Sequence, residues 1–298
     1  MSPALKSVLR RIPPFAQLIA LREARGIAPP GHFYSPLVSV EEIRRDEQRL
    51  FRRDAAPAGI DMNDAPQLEL LGHFEALYPS IDFPATRRAP HRYWYENSAY
   101  SYSDAIMLHC MMRHFRPRRI IEVGSGHSSC VMLDTREKHL PGETELTFIE
   151  PYPELLLTLI RPGDRAAIEV LPARVQDVSL ERFRSLQAGD FLFIDSTHVS
   201  KTGSDVNYLV FDVLPALNPG VHVHVHDVFY PFEYPREWVL SGRSWSELYV
   251  LRAFLQFNAV FSITMMNTYL LQQHAERFRA RMPLCLKNPG GSIWLRKG

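Results

Sequence analysis

Ile120-Ile121-Glu122-Val123-Gly124-Ser125-Gly126-His127-Ser128-Ser129 is the stretch whose reading decides the fold. The apolar run Arg119 to Val123 reads as a strand, Gly124-x-Gly126 as a tight turn, and Ser128 to Lys138 as a helix. A strand that turns through glycines into a helix brings backbone N–H groups up to a ligand, because a side chain there would block close approach. Four neighbours strengthen that reading. Glu122 stands two residues before the first glycine. The helix opens on the small, hydrogen-bonding Ser128-Ser129. A second strand, Glu145 to Ile149, ends at Glu150, a place suited to a carboxylate that takes two ribose hydroxyls. A later strand, Phe191 to Ile194, ends at Asp195. Glu122, Gly124, Ser125, Gly126, Ser128, Glu150 and Asp195 are therefore the candidate cofactor-binding residues. Each has a plainer alternative: Glu122 as an ion-paired strand residue, Glu150 as a helix-start acid before Pro151, the glycines as turn formers. A dinucleotide is the rival ligand. Its fingerprint keeps a third glycine three residues after the second, where this chain has Ser129.

Outward from this stretch, helices and apolar strands alternate. Helices are expected at Ser103–Phe115, Glu154–Leu159, Leu180–Leu186, Val206–Leu217 and Ser246–Asn258. Further strands are expected at Ala167–Leu171, Val221–His226, Phe261–Met265 and Ser292–Leu295. Strands separated by helices imply an α/β, Rossmann-like doubly wound sheet covered on both faces. The last two strands lack a convincing crossover helix, so either Tyr269 to Arg281 supplies a short one or the pair is antiparallel. Residues 1–95 are punctuated by prolines and read as a helical and loop extension packed on the domain 96–298. Within it, Val40 to Arg53 reads as a charged helix with Ser39 as N-cap and Glu42 completing a capping box. Phe15 to Leu21 reads as a short helix after the break at Pro13-Pro14, packed on its own domain.

The 298 residues carry 34 Lys and Arg against 33 Asp and Glu, a net charge of +1. No global field favours nucleic acid or an anionic membrane. The cysteines, Cys110, Cys130 and Cys285, are scattered and odd in number, without disulfide or zinc spacing, which fits a reducing, cytoplasmic setting. No apolar run is long enough to span a membrane. Homo-oligomerisation is left open.

Six segments carry a resemblance: Tyr100–Leu108 (YSYSDAIML), Arg118–Ser129 (RRIIEVGSGHSS), Phe148–Pro153 (FIEPYP), Phe191–Tyr208 (FLFIDSTHVSKTGSDVNY), His224–Trp238 (HVHDVFYPFEYPREW) and Gly290–Lys297 (GGSIWLRK). Across about two thirds of the chain, Glu96 to Lys297, it resembles the class I S-adenosylmethionine-dependent methyltransferases, more narrowly their bacterial small-molecule, type 24-like group. The resemblance implies a seven-stranded sheet with the last strand antiparallel. It implies S-adenosylmethionine as cofactor, with Gly124 and Gly126 facing its methionine part, Glu150 holding the ribose, and Gln176 and Asp177 near the adenine.

Two clusters follow strand ends on the cofactor side: Asp195-Ser196-Thr197-His198 and His226-Asp227. In magnesium-dependent methyltransferases of the catechol type, acidic groups at these two places hold the metal. Asp195 matches the first position. His226 stands where a carboxylate would be, and Asp227 where a carboxamide would be. Asp195, His226 and Asp227 are thus candidate ligands of a softer divalent ion, or of none. The metal-free alternative uses His198 or His226 as general base, oriented by Asp195 or Asp227. His222, His224 and His226 alternate and share one face of a strand. The first two lie deeper and read as core residues. The aromatic loop Val228 to Trp238 offers Tyr230, Phe232 and Tyr234 as pocket walls, and the segment before the first domain helix offers Tyr100 and Tyr102. The expected function is methylation of a small polar metabolite, on oxygen before nitrogen, with a sugar or secondary-metabolite intermediate as acceptor. No nucleic acid or membrane partner is expected. A nicotinamide-dependent oxidoreductase and a non-catalytic nucleotide-binding scaffold are the competing readings.

Overall fold

A computed structural model describes residues 3–24, 26–52 and 56–298. In chain order the elements are α1 (Pro3–Leu9), α2 (Pro13–Ala24), α3 (Val40–Arg45), α4 (Glu47–Leu50), α5 (Asp64–Leu77), α6 (Ser103–Phe115), β1 (Arg119–Val123), α7 (His127–His139), β2 (Glu145–Ile149), α8 (Glu154–Leu159) and β3 (Glu169–Leu171). There follow α9 (Leu180–Arg184), β4 (Phe191–Ile194), α10 (Asp205–Tyr208), α11 (Leu214–Ala216), β5 (His222–His226), α12 (Arg236–Leu240), α13 (Glu247–Leu255), β6 (Phe261–Met266), α14 (Asn267–Gln273), α15 (Ala275–Arg281) and β7 (Ser292–Lys297).

The seven strands form one sheet in the order β3-β2-β1-β4-β5-β7-β6. The first five pair in parallel, and β7 runs antiparallel to both β5 and β6. The central strands are buried from their second residue onward or throughout, as parallel strands covered on both faces must be. Their near-continuous apolar runs were therefore legible as buried strands. The turn in strand order falls between β1 and β4, where doubly wound sheets open a crevice beyond their carboxyl ends. The edge strand β6 is stitched to α5: Gln67 Oε1 accepts from Met266 N at 2.8 Å, and Asn63 Nδ2 donates to Ile263 O at 2.8 Å.

Several boundaries differ from expectation for local reasons. Pro13 and Pro14 do not precede the second helix but begin it, where a missing N–H is tolerated and φ is already helical. The charged segment splits into α3 and α4 at Asp46, and its last residue, Arg53, lies outside the described residues. Ser39 caps α3 by accepting from Glu42 N at 3.2 Å. The single helix expected over Val206–Leu217 is α10, a π-helical turn over Leu209–Val213, and α11. Pro215, without an N–H, sits in the last piece.

The chain divides into two compact units. One comprises Met1–Asp54 with Tyr234–Ser244, and the other Ala55–Glu233 with Trp245–Gly298. In the smaller unit α3 packs on α12, and Arg236 pairs with Glu47. In the larger unit, residues 55–95 belong with the sheet, and a buried ion cluster joins them to it. The guanidinium of Arg92 donates to Asp164 Oδ2 at 2.7 Å and to Asp134 Oδ1 at 2.7 Å, and meets Glu137 at 2.6 Å. Asp134 Oδ2 also accepts from the backbone of Arg92 and Tyr93, each at 2.9 Å.

Candidate active site

The first glycine of the turn is required by backbone contact. Gly124 has φ +82°, and a Cβ there would lie 1.8 Å from the carbonyl oxygen of Asp195. The ends of β1 and β4 thus touch through the missing side chain, which brings the cofactor turn against the first catalytic candidate. Across the turn, Glu150 Oε2 accepts from Ser125 N at 3.2 Å and Oε1 from Tyr152 N at 2.9 Å. Two amides therefore aim this carboxylate at the mouth of the crevice. Glu122 is fully buried beneath the turn. It accepts from the hydroxyls of Ser128 and Ser129, and Ser129 Oγ accepts from Gly126 N at 3.0 Å. Burial pushes the Glu122 carboxyl up to about 8, against the pull of the two serines. Glu122 and Ser128 thus clamp the turn from below, while Ser125 and Glu150 lie at its half-buried rim.

The turn also presents polar atoms that lack a partner within the protein. Ser125 Oγ, His127 Nδ1 and Ser196 Oγ are buried without a hydrogen bond. Such atoms are rare in a folded protein unless a ligand or water completes them. With the glycine cradle and the Glu150 carboxylate, they fit an amino-acid group at the turn and a diol at β2. Trp94 stands over the same place, its ring 5.1 Å from that of His127. Gln176 donates to Gly203 O at 3.0 Å, and the exposed Asp177 pairs with Arg174 at 2.8 Å.

At the ends of β4 and β5 the four catalytic candidates come together. His198 Nε2 lies 3.4 Å from Asp195 Oδ1 and 3.5 Å from Asp227 Oδ2. His226 Nε2 lies 3.6 Å from Asp227 Oδ1. Both His198 and Asp227 hold left-handed backbone, φ 59° and 56°, strain of the kind found at functional sites. Two further acids complete the cluster. Glu247, buried at the start of α13, meets His198 Nδ1 at 2.8 Å, while His198 O accepts from the Ser246 and Glu247 amides. Asp104, buried on α6, accepts from Asn267 Nδ2 and Gly291 N, each at 3.1 Å.

Electrostatics follow from that packing. Burial would depress His198, yet its bonds to Asp195 and Glu247 outweigh it and push the imidazole up to about 10. Burial opposes His226 as well, but Asp195, Asp227 and Asp104 raise it. Burial lifts Asp227 to about 6, against the pull of His226 and His198. Asp195 is held below the usual carboxylate range because the two histidines outweigh its burial. A pKa raised in this way favours the protonated imidazole at neutral pH. This favours the carboxylate oxygens that face His198 over His198 itself as proton acceptors.

His222 and His224 lie in the core as expected, though without hydrogen-bonded networks. His224 stacks on Phe193 at 3.9 Å and meets Trp294 at 4.7 Å, and neither of its ring nitrogens has a partner. Burial drives its pKa well below the ordinary value, so it is a neutral ring in an aromatic row. Tyr100 is buried with its ring 5.1 Å from His226, its hydroxyl unpartnered. Tyr102 stacks on Tyr95 at 5.0 Å and is core. Tyr230 is half-buried, with N–H donated to Thr268 at 2.8 Å and ring 5.0 Å from Tyr269. Phe232 is fully enclosed and offers no face to an acceptor here. Tyr234 is buried and belongs to the smaller unit. Among the described residues, no group of three or more His, Cys, Asp or Glu is arranged to hold a metal ion. A cavity of about 700 Å³ opens at the starts of β1 and β2, beside Arg119 and Glu145, opposite the edge where this fold binds ligands.

Asp104 and Glu247 escaped sequence reasoning. Both are reached only through the tertiary fold. Their one local signal was position: Asp104 inside the Tyr100–Leu108 segment, and Glu247 just after a polar helix start.

The chain is similar to known proteins in the same region. A family described as "Methyltransferase domain" matches residues 121–228. An uncharacterized protein of Archaeoglobus fulgidus is 37% identical over 173 residues, covering 56% of this chain and 76% of the relative. Among solved structures, the O-methyltransferase TomG of Streptomyces achromogenes, in complex with S-adenosylmethionine, aligns with a TM-score of 0.41 at 17% identity. The alignment covers 86% of this chain and 96% of TomG. An O-methyltransferase from Bacillus cereus in complex with S-adenosylhomocysteine aligns with a TM-score of 0.42 at 14% identity, covering 87% of this chain and all of that one. Among the described residues no helix is long and apolar enough to cross a membrane.

Proposed function

Because the chain belongs to the class I S-adenosylmethionine-dependent methyltransferase family, we propose that it methylates an oxygen of a small polar metabolite, such as a sugar or a secondary-metabolite intermediate, at the ends of β1, β4 and β5. The observation that carries this reading is the contact between Gly124 and Asp195, which sets the cofactor turn beside the carboxylate and histidine cluster. Bound S-adenosylmethionine supplies an electrophilic methyl group on a sulfonium.

The protein's part is to bind, orient and move one proton. Glu150 would hold the two ribose hydroxyls, and Ser125 would lie beside the methionine part. The unpartnered Ser125 and Ser196 hydroxyls complete the polar contacts. Methyl transfer needs the acceptor oxygen in line and a proton acceptor within hydrogen-bond reach. Asp195 and Asp227 face the same His198 nitrogen from two strands, so a hydroxyl between them meets a carboxylate on either side. Of the two, Asp227 has the pKa closer to neutrality and is the better base. Protonated His198, held by Glu247, keeps the two carboxylates from repelling each other and neutralises the negative charge developing on the oxygen. The half-buried Tyr230 supplies an apolar wall for the acceptor. The expected metal set Asp195, His226 and Asp227 is not arranged to hold an ion here, so a side-chain base is the reading and a divalent ion the alternative. Activity before and after exhaustive chelation separates the two cases: full retention assigns the proton to side chains alone, and loss restored by manganese assigns it to the ion.

Calorimetric titration of S-adenosylmethionine tests the cofactor site. The parent chain should bind, and Glu150→Ala should lose about a hundredfold in affinity, from two hydrogen bonds to a charged group at about 1.5 kcal/mol each. Unchanged affinity in a folded variant would end the ribose assignment.

A further inference from the structure

The smaller compact unit displays apolar side chains that its own fold does not cover. On α1 and α2, Val8, Phe15 and Leu18 are exposed, Leu18 to 61%. Beyond α2, Ile27 is 98% exposed, and the following loop carries Phe33 at 83% and Tyr34 at 74%. Scattered single apolar residues on a surface need no explanation, but seven within 27 positions, Ile12 included, do.

The loop is ordered. Gly31 N donates to Leu37 O at 3.0 Å, His32 N to Pro29 O at 3.1 Å and Ser35 N to His32 O at 2.7 Å. Tyr34 N donates to His32 Nδ1 at 3.1 Å. His32 stacks on Phe33 at 4.2 Å, and Phe33 meets Tyr34 at 4.6 Å. Gly31 takes φ +81°, and a Cβ there would press within 2.8 Å of the Ser39 side chain, so the loop closes tightly. A loop that fixes its backbone this way yet turns two aromatic rings outward has its ordering entropy already met before any partner arrives.

Charge gives the partner's character. Residues 1–38 contain Lys6, Arg10, Arg11, Arg22 and Arg25 against the single acid Glu23, a net +4 in a chain whose total is +1. Basic residues close in sequence to exposed apolar and aromatic side chains suit attachment to an anionic bilayer interface. Overall charge hid this, because acids elsewhere cancel it.

We propose that the N-terminal segment 3–38 docks the protein peripherally on an anionic phospholipid surface, with Phe33, Tyr34 and the α1–α2 apolar residues entering the headgroup boundary and the arginines meeting lipid phosphates. A second copy of the chain fits less well, since this face would bring one cluster of basic residues against another. The proposal runs against the expectation of no membrane partner. The attachment is interfacial and needs no spanning helix.

Co-sedimentation of the full chain with vesicles tests the proposal. The parent should pellet with vesicles of phosphatidylcholine containing phosphatidylglycerol, and bind at least about tenfold more weakly to pure phosphatidylcholine or at high salt. Arg11→Glu with Arg22→Glu should lose a similar factor, as should Leu18→Asp with Phe33→Asp. S-adenosylmethionine affinity in the same samples reports that the sheet unit is intact. If the paired aspartates unfold the smaller unit, Phe33→Asp alone, at a solvent-exposed ring, retains the test. Absence of the parent from both vesicle pellets, or equal binding to neutral and anionic vesicles, overturns the proposal. So does a concentration-dependent dimer in sedimentation velocity that Phe33→Asp dissolves, because the apolar face is then a self-association surface.

Discussion

Replacing Glu122 by glutamine should change how stability depends on pH. Glu122 is fully buried, and its carboxyl is raised from 4.5 to about 8. A raised acid binds its proton more tightly folded than unfolded. Its contribution is therefore fully present below pH 4.5 and is lost as pH climbs through about 8. The interval corresponds to about 5 kcal/mol at 1.36 kcal/mol per pH unit, nearly all of it lost by pH 9. Glutamine cannot ionise. It keeps one acceptor for Ser128 or Ser129 and forces the other hydroxyl to turn, at a cost of about 1 kcal/mol. The variant should thus be about 1 kcal/mol less stable than the parent below pH 4, level with it near pH 5, and several kcal/mol more stable at pH 9. Urea unfolding followed by tryptophan fluorescence at those pH values measures this, provided the m-value is unchanged. Two parallel stability curves would refute the reasoning, because Glu122 would then not be titrating in the native state.

Gly124→Ala must open the contact with Asp195 O by about 1.5 Å, and must hold a left-handed backbone that costs an L-residue about 1–2 kcal/mol. Thermal unfolding should show a loss of about 3 kcal/mol or more with abolished cofactor binding, and a variant as stable as its parent would show that the strand ends do not touch. His198, raised to about 10, adds stability that is complete below pH 6.5 and disappears as pH rises through about 10. Histidine NMR should accordingly find one imidazole still protonated at pH 8. Glu247→Gln should let it deprotonate earlier, and no histidine titrating above pH 8 would contradict the cluster.

What the sequence made legible was local. Arg119–Val123 and Phe191–Ile194 are apolar runs between turn residues, and burial on two faces leaves that mark without any knowledge of neighbours. Gly124 was readable because only a glycine answers a close backbone approach, although the approaching atom, Asp195 O, lies far along the chain. The boundaries at Asp46 and over Leu209–Val213 were not readable, since a widened turn depends on packing that helical periodicity does not encode. In the site, Asp195, His198, His226 and Asp227 could be found because each follows a strand end. Their protonation could not. It is set by burial and by how closely the fold packs the four against one another, with Glu247 and Asp104 adding from α13 and α6. The histidine triplet shows the same division: alternation identified a shared face, but only the neighbours Phe193 and Trp294 show His224 to be an aromatic core residue.

The Arg92 cluster bears on where this chain can be shortened. Family likeness begins in earnest near the cofactor turn, and a cut at Glu96 would look harmless by that measure. It would remove the only guanidinium that meets both Asp134 and Asp164 among the described residues, leaving two carboxylates buried under α7 without their cation. It would also strip α5 from the β6 edge, leaving Met266 N and Ile263 O without their side-chain partners. A piece that starts at Glu96 is therefore expected to be less stable than one that keeps Asn63 and Gln67.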